Sequence, residues 1–208
     1  MLQTLVRIAL VTSAGLTIVA ASTAAAMDEP PVVIRIYDAG ASTAHLRAAA
    51  IRTAAAILDQ AGIAADWHDC TEGVSPACQT PRPARDLIVR IMPATASALH
   101  PPSAAEVHAN LEDADFPLGF AVVDPTRHTG AMATIFHDQV ESVARRSGVD
   151  GSELLGRTLA HEIGHLLLGV RGHSRNGLMR AVWTDAELTM NRREDWVFTG
   201  PDRRRLKP

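Results

Sequence analysis

The chain has 208 residues, of which 47% are hydrophobic, 21% charged and only 4% aromatic, a globular mixture diluted by alanine rather than a disordered polyampholyte. Its formal net charge of −3 carries no basic footprint for nucleic acid. Two cysteines are too few for a disulfide-built scaffold, so the fold must rest on a hydrophobic core.

Residues 1–26 place one charge, Arg7, ahead of an apolar stretch from Ile8 to about Ala21, and end in Ala24-Ala25-Ala26. That is the layout of a secretory signal, with cleavage expected near Ala26 and a mature start at Met27. Thr12, Ser13, Gly15 and Thr17 interrupt the stretch, which is short for a bilayer span. The expectation is a secreted or periplasmic protein, with residues 27–208 as one domain and no stable membrane association after cleavage. About five residues then precede the first strand, too few for an inhibitory prosegment. In an oxidising compartment Cys70 and Cys78 are expected to pair within the loop DCTEGVSPACQTPRP, and their spacing is not that of a zinc-binding CxxC.

Val32–Tyr37 is a β-branched run ending at Asp38-Ala39-Gly40, a strand and turn. Ser42 or Thr43 then caps a helix whose apolar residues Leu46, Ala50, Ala54, Ile57, Leu58 and Ala61 recur at three and four, with Gly62 at its end. Ile63 to His68 forms a second strand and Leu87–Met92 a third, stopped by Pro93; residues 94–117 receive no assignment. Leu118–Asp124 and Ala131–His137 read as two strands joined by the turn PTRHTG, and Gln139 to Arg146 as a short helix. Asp150 and Glu153 open a second long helix with an apolar stripe of Leu155, Leu159, Ile163 and Leu166, running to Gly169. The closing PDRRRLKP reads as a solvated tail, and His128 and His137 as strand or turn histidines.

On the second long helix lies His161-Glu162-Ile163-Gly164-His165. Two imidazoles four residues apart project from one helix face and can reach one ion, for which Zn2+ is the expected choice. Glu162, next to the first ligand, is placed to accept a proton from water rather than to bind the metal. A catalytic zinc needs a third protein ligand and an open position. Gly169 and Gly172 can turn the chain back so that His173 supplies it; Asp185 and Glu187 are the acidic alternatives, 20 and 22 residues beyond His165.

The segment HEIGHLLLGVRGHSRNGLMRAVW resembles the zincin metallopeptidases and, within them, the metzincins. The resemblance implies His161, His165 and His173 as zinc ligands, Glu162 as general base and Met179 as the methionine of a tight turn near the metal. Gly169 follows the second histidine by four positions and His173 by eight, where the metzincin pattern has three and six. The implied fold is α+β: a mixed twisted sheet with an antiparallel edge strand, two long helices with HExxH on the second, an upper part over about 32–169 and a small lower part over about 170–208. Leu118–Val123 is the candidate edge strand, with which an extended peptide or protein substrate can pair; the competing reading is an edge strand without a partner. Tyr37, the single tyrosine, lies too far back in sequence to be given a role beside Met179.

The function expected is an exported zinc-dependent metallopeptidase. The alternative is a zinc-binding module that keeps the scaffold and hydrolyses little. Substrate preference and oligomeric state are not specified by these residues.

Overall fold

A computed structural model describes residues 30–40, 42–71, 76–80, 86–94 and 117–206. The signal segment 1–26 and most of the unassigned stretch 94–117 lie outside the described residues. Five strands form one mixed sheet: β1 (Val32–Asp38), β2 (Ala65–Asp69), β3 (Leu87–Met92), β4 (Gly119–Asp124) and β5 (Thr129–Phe136), in the order β2-β1-β3-β5-β4. The first four in that order run parallel, while β4 pairs antiparallel with β5 and closes one edge.

Register explains the core. Ile36, Val89 and Ala133 sit opposite one another on adjacent strands, as do Ile91 and Ile135, so one face presents a continuous apolar surface. Against it pack two helices, α1 (Ala44–Gln60) and the long helix α4 (Gly151–Leu168), which also lie against each other. Gly156 permits that approach: a Cβ there would stand 2.5 Å from the Cβ of Thr53 and 2.6 Å from the carbonyl oxygen of Ala50. Between them α1 and α4 contribute Ala50, Ala54, Leu58, Leu155, Leu159 and Ile163, all buried.

The remaining helices are short: α2 (Pro76–Gln79), α3 (His137–Ser147), α5 (Asp185–Met190), a 3-10 turn at Arg193–Trp196, and α6 (Gly200–Leu206). Several differ from the sequence expectation. His137 opens α3 as a buried residue instead of ending β5, whereas His128 sits in the β4–β5 turn as expected, exposed at φ +51°. The expected solvated tail is in fact helix α6, because Leu206 and Asp202 are both buried against the rest of the molecule. Thr43, not Ser42, caps α1, its hydroxyl accepting from the N–H of Leu46. Cys70 and Cys78 form a disulfide with Cα atoms 5.5 Å apart, a separation suited to such a bridge.

Candidate metal centre

Helix α4 begins where the Asp150 carboxylate accepts from the N–H of Glu153 and ends at Gly169, whose φ of +61° suits glycine. Almost every side chain between is buried, so its two histidines stand in the interior. His161 and His165 are one turn apart on one face, and their Nε2 atoms are 3.1 Å apart.

The Nδ1 atoms fix the chemistry of that pair. His161 Nδ1 lies 2.8 Å from the carbonyl oxygen of Leu178, and His165 Nδ1 lies 2.8 Å from that of Val170. A carbonyl only accepts, so each Nδ1 carries the proton and each Nε2 presents a lone pair. Two lone pairs at 3.1 Å repel unless a cation lies between them. Burial pushes His161 down to about 3 and His165 down to about 4, so a proton does not supply that cation near neutrality. Two nitrogens on one tetrahedral zinc at about 2.05 Å are about 3.3 Å apart, close to what this pair already adopts.

The chain beyond α4 returns a third imidazole. Gly169 donates to the carbonyl of His165, and Val170 turns its own carbonyl back to the same residue's ring. Two residues more than the metzincin spacing are thereby absorbed in a loop folded against its own helix end. The ligand atoms of His161, His165 and His173 all lie within 4.8 Å of one another. Among the described residues this is the group suited to hold a metal ion.

Residues 174–180 support the cluster from below. The N–H of Ser174 donates to the carbonyl of Met179 (2.7 Å), and Arg180 N–H reaches the Gly177 carbonyl (3.4 Å) across a tight turn with Gly177 at φ +75°. Leu178 within that turn is the residue whose carbonyl orients His161. Met179 is buried beside Gly164, where an added Cβ would meet its sulfur at 2.6 Å and the Phe198 ring at 2.7 Å. The central glycine of HEIGH therefore makes room for both side chains.

Glu162 points elsewhere on the same helix. It is buried, and its Oε2 has no hydrogen-bond partner among the described residues. Burial pushes its carboxyl up to about 8, so it holds or releases a proton close to neutrality. Gly119, the first residue of β4, is packed against it: a Cβ at 119 would lie 3.1 Å from Glu162 Oε1.

The acidic alternatives are engaged elsewhere. Asp185 accepts from the Ser147 hydroxyl at 2.8 Å. Glu187 pairs with Arg180 and closes a capping box with Thr184, and neither acid belongs to the histidine group. Two aromatic side chains border the cluster. Trp183 stands edge-on to His161 at 5.5 Å and donates to the Leu178 carbonyl, so it touches the cluster as well as packing on Trp196 in the C-terminal part. Phe198, from the same C-terminal part, is the ring beneath Gly164.

Solved structures with a similar fold exist. A zinc-dependent peptidase from Methanocorpusculum labreanum matches with a TM-score of 0.52 at 18% identity, over 84% of this chain and all of that one. It is a fold shared with zinc peptidases. An archaemetzincin from Methanopyrus kandleri matches at a TM-score of 0.50 and 14% identity, over 85% of this chain and 94% of that one. No protein-family model matches the sequence, and no curated protein matches it. The five-stranded mixed sheet with its antiparallel edge pair, and the helices packed on it, are what the chains have in common.

Proposed function

We propose that this chain is an exported zinc-dependent metallopeptidase. The observation that carries the reading is the pair of buried Nε2 lone pairs 3.1 Å apart, with His173 completing a three-nitrogen group, while Glu162 on the same helix carries an unpartnered buried carboxyl oxygen. His161, His165 and His173 would hold the ion. When bound there, zinc supplies Lewis acidity that polarises a peptide carbonyl and acidifies water. Glu162 Oε2 takes the proton from the attacking water and passes it to the nitrogen of the departing amine. Leu178 and Val170 keep both helical imidazoles in the Nδ1–H tautomer throughout.

Strand β4 is the sheet edge and begins at Gly119, against Glu162. A substrate chain pairing along it by main-chain hydrogen bonds would pass beside that carboxyl. Export is supported by the disulfide, a bond that persists in oxidising compartments. No helix among the described residues is long and apolar enough to cross a membrane.

Glu162→Ala is the test. Hydrolysis of an unstructured polypeptide by the zinc-loaded protein is expected to fall by a factor of at least about 100, the usual worth of a positioned base, while one zinc per chain remains bound. Hydrolysis at the wild-type rate in that variant would refute the role of Glu162. Stoichiometric zinc in a wild type that cleaves nothing would leave a metal-binding module in its place.

A further inference from the structure

The three imidazoles are not held alike. His161 and His165 are oriented by Nδ1 bonds to main-chain carbonyls, whereas neither ring nitrogen of His173 makes a hydrogen bond among the described residues. His173 is also exposed, and its loop borders a cavity of about 330 Å³ lined further by Leu168, Val170 and Met179. Ring bonds and dense packing therefore do not fix this residue. Its place depends on its main chain.

That main chain is pinned one residue later. The Ser174 N–H donates to the Met179 carbonyl at 2.7 Å, and the Ser174 hydroxyl donates to Asp202 Oδ1 at 2.9 Å. Asp202 is buried, and its other oxygen, Oδ2, accepts from the Thr199 N–H (3.1 Å) and the Thr199 hydroxyl (2.6 Å). The carboxylate is thus fixed at the start of α6 independently of Ser174. A buried carboxylate with three donors is costly to build by burial alone, and here its free oxygen is spent on the residue beside His173.

We propose that Asp202, acting through Ser174, is a positioning residue for His173 in the metal centre. The proposal rests on the metallopeptidase reading above and adds that the C-terminal helix, remote in sequence from HExxH, sets the affinity of the centre. In the absence of the clamp, His173 loses its fixed approach and the ion its third nitrogen for part of the time. Partners of this kind, one step removed from the ligands, are worth about ten- to a hundredfold in metal affinity.

Zinc affinity by chelator competition, the absorption spectrum of Co2+-loaded protein and the melting temperature of metal-free protein are compared in wild type, Ser174→Ala, Ser174→Thr, Asp202→Asn and the Ser174→Ala/Asp202→Asn double variant. Ser174→Ala and Asp202→Asn are each expected to bind zinc about tenfold more weakly with an altered cobalt spectrum. The double variant loses no more than the weaker single variant, and Ser174→Thr recovers most of the affinity. Ser174→Ala lowers the metal-free melting temperature by only a few degrees, about what one unmade hydrogen bond to a buried carboxylate costs. Wild-type affinity in Ser174→Ala, or additive losses in the double variant, overturns the clamp alone. Should Asp202→Asn fail to fold, Ser174→Ala against Ser174→Thr still decides. A wild type that takes up no zinc overturns the metal centre and the clamp together.

Discussion

Gly164 sits between the two helical histidines where helix propensity alone favours alanine by up to about 1 kcal/mol. The packing says otherwise, because a methyl there would meet Met179 Sδ at 2.6 Å and Phe198 Cε1 at 2.7 Å. Met179 can bend away, but the aromatic ring is fixed among buried neighbours, and overpacking of this kind costs about 1–3 kcal/mol. Gly164→Ala is therefore expected to lower stability by about 1–2 kcal/mol in urea unfolding, with weaker zinc binding. Two residues earlier the charge balance gives a pH signature. Glu162 has a folded pKa of about 8 against 4.5 for the ordinary carboxyl, so the metal-free fold holds a proton that the unfolded chain has released. Its contribution is fully present below about pH 4.5 and is lost as pH rises through 8. Glu162→Gln should then stabilise metal-free protein progressively from pH 4.5 to 8 and by a constant amount above, as read from unfolding midpoints. In that variant the histidines are exposed as the opposing term. Their folded values of about 3 and about 4 lie below the ordinary 6.5, so stability should fall as pH drops below 6.5.

At the scale of elements, α4 combines two tasks. It is buried nearly all round, filling the core with Leu155, Leu159 and Ile163, and it carries the polar residues of the site. The cost of those polar groups is offset by loops, since the carbonyls of Val170 and Leu178 receive the two Nδ1 protons. The disulfide serves a different part of the molecule. Cys70 and Cys78 close a short loop after β2, where Asp69 also pairs with Arg47 of α1. For a loop of this length the chain-entropy relation gives about 2–3 kcal/mol. The Cys70→Ala/Cys78→Ala variant should lose about that much in denaturant unfolding and keep its zinc affinity unchanged. A large loss of zinc affinity would mean that the loop reaches the site.

For the whole molecule, a metal held by the histidine group would join parts distant in sequence. Two of its candidate ligands stand on α4, the third on the loop after it, and the supports come from the 174–180 turn, Trp183 and Phe198. Binding to the folded chain alone adds RT ln(1 + [Zn]/Kd), about 2.7 kcal/mol at a hundredfold excess, or about 5–10 °C in melting temperature for a chain of this size. Chelator treatment should remove that increment in calorimetry, and His173→Ala should shrink it. An unchanged melting curve after complete chelation would separate the histidine cluster from any folding role for a metal.

Much of this was legible in the chain itself, for local reasons. Helical period four puts His161 and His165 on one face wherever a helix forms, β-branched runs mark β1 and β3, and Asp150 and Gly169 delimit α4 through their own caps. Two apolar runs separated by PTRHTG likewise mark β4 and β5 as a pair joined by a turn. What required the tertiary structure is whatever depends on residues meeting across sequence. The tail read as solvated because three arginines outweigh one leucine locally, yet Leu206 and Asp202 are buried by surfaces that only the folded chain provides. The reason for glycine at 156 and 164 lies in Thr53, Met179 and Phe198, which pack against them from elsewhere in the chain. Short-range periodicity and capping are encoded within a few residues, so sequence alone determined the elements and the candidate ligands. Close approach and desolvation arise only when distant segments share one volume, so the fold decided which groups are buried, which are neutral and which carbonyls hold the imidazoles in place.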